Sequence, residues 1–229
     1  MCGRFIQSTP PHLVAERFGV EPSRILMPGW RPQYNLPPSH NAMVVRLDKD
    51  GRNTLRFKTW GLLPHWAEET KIPYSTINAR AKTMDSKPAF REAFRHRRCL
   101  VPCDGYYEWK QVDKVKQPYL IRLKADGLFA LAGLWERWEG IAEGLLRIIE
   151  SFTIVVTQAN GLTQDIHDRM PVILGQSDWA RWMDSGTPAG ELKGMLAPYA
   201  PEAMTYWAVN RRVGSPAVND PGLVQAINR

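Results

Sequence analysis

The stretch Ser151-Phe152-Thr153-Ile154-Val155-Val156-Thr157 is built almost entirely from β-branched and aromatic residues. An apolar run of this length, rich in residues that favour extended backbone, predicts a strand that is buried on both faces. Residues 129–135 have the same apolar character and predict a second buried strand. We therefore expect these two strands to form the centre of a sheet.

A hairpin is predicted in the first quarter of the chain. Residues 42–47 and 54–60 are extended in character and flank Asp50-Gly51, a dipeptide typical of hairpin turns. Residues 28–38, by contrast, are rich in proline and glycine, and we expect no regular element there.

Short helices are expected around this sheet. Thr9 before Pro10-Pro11 predicts a capped helix that ends at Gly19. Towards the C-terminal end the patterns predict two more short helices and a last strand, at residues 177–183, 189–196 and 204–209. Strands outnumber helices and do not alternate with them. This indicates an α+β fold with a mixed, mainly antiparallel sheet, curled into an open barrel, in one domain over residues 1–229.

The composition narrows the class of protein. The 229 residues are 44% hydrophobic and 23% charged, which suits a globular protein with a sizeable core. No run approaches about eighteen apolar residues, and the N-terminus lacks a secretory pattern, so we expect a protein of the cytoplasm or nucleoid with no membrane segment. Three cysteines argue against a disulfide framework. The net charge of +7 favours a polyanionic partner.

Cys2 is the first candidate for chemistry. Removal of Met1 would leave a thiol and a free α-amine on this one residue. In model peptides the amine has a pKa of about 7.7–8.0 and the thiol about 8.5, so each has a nucleophilic fraction near neutral pH. Such an aminothiol traps aldehydes, because the amine forms a Schiff base and the thiolate closes on the same carbon to give a thiazolidine. If Met1 stays, this chemistry fails, and Cys2 is then a residue without a role near a frayed terminus.

Asn78 and Arg80 form a second candidate group. Two residues apart, they would share a face of an extended segment. The Asn78 amide offers donors and an acceptor, and Arg80 could bind a phosphate through two parallel hydrogen bonds. The alternative is an asparagine that closes a turn beside a solvated arginine.

Glu108 lies in an aromatic segment, residues 103–110. Alternation places Tyr107 and Trp109 on one face and Glu108 on the other, where apolar walls would raise the pKa of its carboxyl group towards that of a general acid. The alternative is an exposed glutamate at a sheet edge. Trp109, and Trp66 in the predicted loop 60–66, could stack on unpaired bases or pack on the core.

His167 is the fourth candidate. It lies between Asp165 and Asp168 in a polar turn after the strand at 151–157, a common place for a catalytic group. Neighbouring carboxylates can fix its tautomer and raise its pKa. The alternative is a structural histidine.

Two weaker patterns concern metal and phosphate. Cys99 and Cys103 are four residues apart, but no second pair stands at zinc-ligand spacing, so we predict no metal site. A basic cluster at a predicted helix end could contact phosphates or form a solvated face: Arg91, Arg95, Arg97 and Arg98.

Taken in chain order, seven segments resemble motifs of the SRAP family, the SOS-response-associated peptidase-like proteins. They are Met1-Cys2-Gly3-Arg4-Phe5, Tyr34-Asn35 with Pro37-Pro38, Trp60-Gly61, Asn78-Ala79-Arg80, Lys87-Pro88-Ala89-Phe90, Asp104-Gly105-Tyr106-Tyr107-Glu108-Trp109 and Ile166-His167-Asp168-Arg169-Met170-Pro171. Each motif alone is weak, but together they run in order over nearly the whole chain, from Cys2 to about Val218.

The resemblance implies an SRAP-like fold and a sensor of abasic sites in single-stranded DNA that crosslinks itself to the ring-opened sugar through Cys2. It implies that Glu108 is the acid and base for ring opening and Schiff-base formation. Asn78 would position the terminus or the sugar, and His167 would assist proton transfer at the sugar oxygen. The resemblance also implies AP lyase activity by β-elimination and reversal of the crosslink.

The resemblance further implies binding to single-stranded DNA that contains abasic sites. No sustained heptad or interface stretch argues for more than a monomer, and we predict no cofactor. Six residues are predicted to contact this DNA: Arg4 and Arg80 at phosphates, Pro38, Trp66 and Trp109 at bases beside the lesion, and Asn35.

Two other functions stay open on the residues. The first is an N-terminal-nucleophile amidohydrolase or peptidase, in which Cys2 attacks an amide with its own α-amine or His167 as the base. The second is a non-enzymatic module that binds single-stranded DNA through charge and aromatic rings. Substitution of Cys2→Ser would abolish a denaturant-stable DNA adduct and leave a pure binder unchanged.

Overall fold

The computed structural model describes residues 2–72, 75–125 and 127–227. In these residues the strands are β1 Phe5–Gln7, β2 Ile25–Leu26, β3 Gln33–Leu36, β4 Asn41–Leu47, β5 Asn53–Trp60, β6 Asn78–Arg80, β7 Arg98–Cys103, β8 Gly105–Val112, β9 Val115–Leu123, β10 Phe129–Ala142, β11 Leu145–Gln158, β12 Arg169–Pro171, β13 Ile173–Leu174 and β14 Met204–Ala208. The α-helices are α1 Pro11–Arg17, α2 Arg91–His96, α3 Trp179–Met183 and α4 Ala189–Gly194. Single turns of 3-10 helix cover Pro22–Arg24, Gln176–Asp178, Pro201–Ala203, Arg211–Gly214 and Pro221–Val224.

Five of the strands close into a barrel. They pair in the order β11-β10-β7-β4-β5, and β5 then pairs with β11, where Thr59 lies opposite Ser151 and Trp60 opposite Phe152. The closing pair is parallel, and the other four pairs are antiparallel. Closure satisfies both edges of the sheet with backbone hydrogen bonds.

Side chains alternate between the two faces of the barrel wall. Those facing inwards belong to one buried apolar cluster, the interior cluster, which includes Trp60, Val101, Leu131, Phe152 and Ile154. Side chains at the intervening positions pack against the helices in a second cluster: Val45, Leu55, Leu100 and Val155 meet Phe18, Trp179 and Trp182. The helices therefore cover the barrel from outside.

A second sheet brings the N-terminus to the barrel. Its order is β14-β9-β8-β1-β3, and β8 begins at Gly105, two residues after the end of β7. In β1, Phe5 lies opposite Tyr106, and the backbone carbonyl of Arg4 accepts a hydrogen bond of 2.9 Å from the N–H of Tyr107. Residues 2–4 consequently run beside residues 107–109.

These observations confirm the predicted α+β class and the mainly antiparallel sheet, as well as the hairpin around Asp50-Gly51. The two central strands are longer than predicted, because they continue as the hairpin of β10 and β11. Residues 28–38 are not wholly irregular, since they contain β3. The backbone N–H of Tyr34 in β3 donates to the Asn219 side chain at 2.7 Å, a contact that spans most of the chain.

Two local predictions need correction. Thr9 does not cap the first helix, because its hydroxyl donates to Asp104 while Pro10 occupies the N-cap position. Arg98 is neither solvated nor free for phosphate, since it is 3% exposed and donates to backbone carbonyls, including those of Phe94 and Trp182. Among the described residues, the helices are too short and polar to cross a bilayer.

Candidate active site

Four segments converge at one end of the barrel. The N-terminal residues run beside Glu108 on β8, and β6 carries Asn78 and Arg80 alongside β11, with Asn78 opposite Ile154. His167 lies in the turn between β11 and β12. Met170, three residues further along the chain, belongs to the interior cluster. The sequence separates these segments widely, and the closure of the barrel brings them together.

Cys2 is completely buried in the interior cluster. Burial raises the pKa of its thiol far above the ordinary value, and the nearby Glu108 carboxylate raises it further. The expectation of an appreciable thiolate fraction near neutral pH is therefore wrong for the folded protein. The thiol is held in its neutral form, and it needs a base at the moment it reacts.

Glu108 is 3% exposed, on the opposite face of β8 from Tyr107 and Trp109, as the alternation predicts. Burial raises the pKa of its carboxyl group, with the charge of Arg169 acting in the opposite direction. A carboxyl group whose pKa is raised keeps its proton more readily than an exposed one and can still release it, which suits general acid–base chemistry.

Asn78 is joined directly to the N-terminal segment. Its Nδ2 donates a hydrogen bond of 2.9 Å to the backbone carbonyl of Cys2. Its Oδ1 is buried and accepts no hydrogen bond from the described residues. The side chain thus fixes the Cys2 backbone with one atom and offers an unused acceptor with the other.

His167 is oriented by its own turn. The backbone N–H of Arg169 donates to Nδ1 at 3.0 Å, and this hydrogen bond favours the neutral tautomer with the proton on Nε2. Burial lowers the pKa of His167, and the carboxylate of Asp168, 2.8 Å from Nδ1, opposes that effect only in part. The expected rise of the pKa is wrong because Asp168 is 75% exposed and water weakens its field.

Residues 1–216 match the family described as SOS response associated peptidase (SRAP). The chain belongs to the SRAP family. It is 39% identical over 229 residues to a Bacillus subtilis protein named Abasic site processing protein YoqW, with 99% of this chain and 100% of the relative covered. A Xenopus tropicalis protein named Abasic site processing protein HMCES is 31% identical over 238 residues, with 87% of this chain and 70% of that protein covered.

The SRAP fold is also shared with solved structures. The crystal structure of a Bacteroides thetaiotaomicron protein matches with a TM-score of 0.85 at 29% identity, over 99% of this chain and 100% of that one. The resemblance read from the seven motifs is confirmed.

The six residues predicted to contact DNA differ in what they present. Asn35 is only 2% exposed. Its side-chain amide donates hydrogen bonds to the backbone carbonyls of Ser215 and Val218 and accepts one from Arg4. The Asn35 amide thus has its hydrogen bonds inside the protein, and its contact with DNA stays a prediction. Its structural role is to hold Arg4, whose Nη1 also donates to the carbonyl of Val213.

The other predicted DNA contacts lie nearer the surface. Arg80 is exposed at the end of β6, and Trp66 is 49% exposed with its indole N–H directed to the carbonyl of Pro88 at 3.4 Å. Pro38 and Trp109 are half-buried. The contact of these four residues with DNA stays a prediction.

Two neighbours of the site escaped the sequence analysis. The Tyr106 hydroxyl is buried without a hydrogen-bond partner among the described residues, and its pKa is raised by burial and by the nearby Glu108 carboxylate. Arg169 places a buried Nη1 near Glu108, likewise without a described partner. Both could have been found, because Tyr106 is two residues from Glu108 on one strand and Arg169 belongs to the His167 motif.

In residues 2–72, 75–125 and 127–227, no group of three or more His, Cys, Asp or Glu side chains is placed to hold a metal ion. Cys99 and Cys103 are both buried and free.

Proposed function

We propose that this protein processes abasic sites in single-stranded DNA by forming a covalent thiazolidine between Cys2 and the ring-opened sugar. The proposal rests on one observation, that Cys2 is buried close to Glu108 while Asn78 donates a hydrogen bond to the Cys2 backbone carbonyl. The names of the curated relatives support abasic-site DNA processing as the general activity. The aldehyde of an abasic site is the electrophile that an N-terminal aminothiol captures.

The reaction begins at the α-amine of Cys2, once Met1 has been removed. The amine adds to the sugar aldehyde carbon, and the resulting hydroxyl group leaves as water to give a Schiff base. Glu108, whose carboxyl group is protonated more readily because of its raised pKa, donates the proton to the departing hydroxyl. Its carboxylate then takes the thiol proton as sulfur adds to the same carbon, which regenerates the acid, and the nitrogen keeps the one proton that it carried in the protonated Schiff base. Aldehyde and aminothiol thus yield thiazolidine and one water.

Asn78 and His167 have supporting parts in this scheme. Asn78 holds the carbonyl of Cys2, and its unused Oδ1 can accept from the α-amine or from a sugar hydroxyl. This fixes the amine for attack. His167 carries its proton on Nε2 when neutral, so it can donate to the ring oxygen of the sugar and favour the open aldehyde.

AP lyase activity follows from the same Schiff base. The iminium withdraws electrons from the neighbouring carbon, so a base can remove a proton there and the 3′ phosphate leaves by β-elimination. Capture by the thiol competes with this step, and reversal of the thiazolidine passes through the same Schiff base in the opposite direction.

A single strand is the substrate that the surface favours. A cavity of about 850 Å³ beside the site is lined by four cationic side chains and one carboxylate, Arg80, Lys82, Arg169, Lys193 and Asp168. This balance suits a phosphate backbone, and the exposed Trp66 offers a ring on which a base can stack. The proposed catalytic residues come from one chain, so the protein can act as a monomer, at the nucleoid where its substrate lies.

The experiment that tests the proposal uses an oligonucleotide with one abasic site. Protein lacking Met1 is incubated with it, denatured and examined by gel and by intact mass. We expect a slower band whose mass equals protein plus DNA minus one water. An oligonucleotide with a tetrahydrofuran residue, which has no aldehyde, gives no band, and neither does Cys2→Ser.

Cys99→Ser provides a matched control, because Cys99 is also fully buried but lies outside the site. It should crosslink as the wild type does. Absence of the band from correctly processed protein contradicts the proposal. Hydrolysis of a peptide without any need for DNA would point instead to the amidohydrolase alternative.

A further inference from the structure

Charged side chains occupy the barrel interior away from Cys2. Arg46 on β4, Arg56 and Lys58 on β5, Trp135 on β10 and Glu150 on β11 stand at inward-facing positions, the same positions along the strands that carry the interior cluster. A small barrel normally fills this space with apolar side chains. The four charged residues are therefore an exception that needs a physical reason, and together with Trp135 we call them the cationic cluster.

The cationic cluster is separate from the candidate active site. Glu150 lies four residues before Ile154, which is opposite Asn78. With a rise of roughly 3.3 Å per residue, the two positions on β11 are roughly 13 Å apart along the strand. Arg56 likewise lies four residues before Trp60 on β5. The two sites thus occupy opposite ends of one barrel.

The cluster contains more cations than it can pair. Glu150 is its carboxylate, 2.9 Å from Lys58 Nζ and 3.5 Å from Arg46 Nη2. Both cations also lie over the ring of Trp135, at 4.5 Å and 4.3 Å from its centre. No salt bridge joins Arg56 to a carboxylate in the described parts of the chain, and its Nε and that of Arg46 are buried without described hydrogen-bond partners.

The electrostatics agree with this geometry. Three cations share one carboxylate, and the Lys58 side chain is fully buried. Burial lowers the pKa of Lys58 to about 8. Although burial acts against it, the charges of Lys58, Arg46 and Arg56 lower the pKa of Glu150. Buried cations in excess are unfavourable unless an anion joins them.

The cluster can be reached from solvent. It borders a cavity of about 870 Å³ that is also lined by His96 and Arg137. Three acidic residues at its rim have partners of their own, because Asp48 is bound to Arg24, Asp50 lies near Arg24 and Arg52, and Asp184 accepts a hydrogen bond from the backbone N–H of Gly186 and lies near Arg98. A cavity of this size holds a phosphate group together with part of the molecule that carries it.

We propose that the cationic cluster is a second binding site, specific for a phosphate group. Phosphate oxygens would accept hydrogen bonds from the Nε groups of Arg46 and Arg56, and the anion would offset the excess positive charge. The phosphate comes from a small phosphorylated metabolite or from the backbone of a nucleic acid. This inference does not depend on the proposed chemistry of Cys2.

The test combines thermal unfolding with NMR of protein labelled with ¹⁵N-arginine. Inorganic phosphate, pyrophosphate and a short single-stranded oligonucleotide without an abasic site are titrated separately. We expect a rise in Tm and saturable shifts of two arginine Nε–Hε signals, those of Arg46 and Arg56, because a ligand that binds only the folded state stabilises it. The absence of the Arg56 signal from Arg56→Gln assigns it.

Arg56→Gln should weaken phosphate binding at least tenfold and, in phosphate-free buffer, raise Tm above that of the wild type, since one unpaired buried cation is gone. Arg56→Lys, which keeps the charge, should retain part of the affinity. Lys114→Gln, a loss of one exposed charge in the turn between β8 and β9, should bind as the wild type does. Crosslinking at Cys2 should be unaffected in all three.

The three titrations distinguish the two sources of phosphate. Shifts of the Arg46 and Arg56 signals by phosphate or pyrophosphate indicate a small ligand, and shifts by the oligonucleotide alone indicate a nucleic-acid backbone. Either result supports the site when Arg56→Gln removes it. If no probe moves these signals, or if Arg56→Gln binds every probe as tightly as the wild type, the site does not exist.

Discussion

Glu108 and Glu150 are two glutamates on the interior of one fold, at opposite ends of the barrel, and their carboxyl groups are perturbed in opposite directions. Burial raises the pKa of Glu108, whereas Lys58, Arg46 and Arg56 lower that of Glu150 against the effect of burial. Position inside a barrel therefore does not decide the charge of a carboxyl group. The number of cations within reach decides it.

The difference separates a site built for proton transfer from one built to hold charge. At the Glu108 end, the Cys2 thiol and His167 are both displaced towards their neutral forms, so protons can move when an aldehyde arrives. At the Glu150 end, the Glu150 carboxylate is paired with Lys58 and Arg46, and three cations to one carboxylate leave an excess of positive charge. Exchanging either glutamate for glutamine should therefore have different consequences.

The largest expected effect is on crosslinking. Glu108→Gln keeps the shape of the side chain but cannot transfer a proton, so we expect the rate of adduct formation to fall about 10²- to 10⁴-fold. The wild-type rate should also fall as the pH rises through the Glu108 pKa, because the acid form is lost, and Glu108→Gln should lack this dependence. The measurement is single-turnover gel kinetics across pH. An unchanged rate in Glu108→Gln would remove Glu108 from the mechanism.

The corresponding change at the other end should act on stability. Glu150→Gln leaves Lys58 and Arg46 without their carboxylate, and we expect the free energy of unfolding to fall by about 3 kcal/mol, with crosslinking unchanged. Urea unfolding followed by circular dichroism measures it. Glu143→Gln, at the exposed tip of the hairpin of β10 and β11, removes the same charge and should change stability little.

A double variant sharpens this result. Lys58→Met with Glu150→Leu removes a cation together with its partner and fills the space with apolar groups. We expect it to recover much of the stability lost by Glu150→Gln alone. A double variant that is as unstable as the single one would mean that Glu150 supports the barrel by some contact other than its salt bridges.

Local patterns in the sequence predicted one end of the barrel far better than the other. Alternation in residues 106–109 was enough to turn Glu108 away from Tyr107 and Trp109, and the β-branched run at 151–157 was enough to indicate β11. The burial of Lys58 carries no local signal, because a lysine between Phe57 and Thr59 is typical of a strand surface. Only the closing pair of β5 with β11 encloses it beside Glu150.

Long-range contacts account for the other differences. Asn35 looks like a surface residue in a proline-rich segment, yet Ser215 and Val218 bury its amide from the far end of the chain. Thr9 has the right position for a helix cap, but Asp104 from the start of β8 takes its hydroxyl. In both cases a hydrogen-bond partner about a hundred residues or more away replaces the local one.

Asn78→Ala tests how far crosslinking depends on the position of the Cys2 backbone, which the Asn78 side chain holds. Loss of the hydrogen bond to the Cys2 carbonyl should slow crosslinking about tenfold, in keeping with roughly 1–1.5 kcal/mol for one such bond. Binding to an oligonucleotide with a tetrahydrofuran residue should change much less, because Asn78 acts on the terminus. Equal losses in binding and in crosslinking would make Asn78 a DNA contact instead.

The smallest expected effect is a slope in stability against pH that belongs to Lys58. Its pKa is about 8 in the folded protein and about 10.4 in an unfolded chain, so between these values the unfolded state binds more protons. Stability should therefore rise with pH across that window, by up to about 1 kcal/mol per pH unit. The difference between wild type and Lys58→Met in urea unfolding at several pH values isolates this contribution from other groups. A flat difference would mean that Glu150 and Trp135 compensate the burial of Lys58 fully, and the cationic cluster would then be balanced without any further anion.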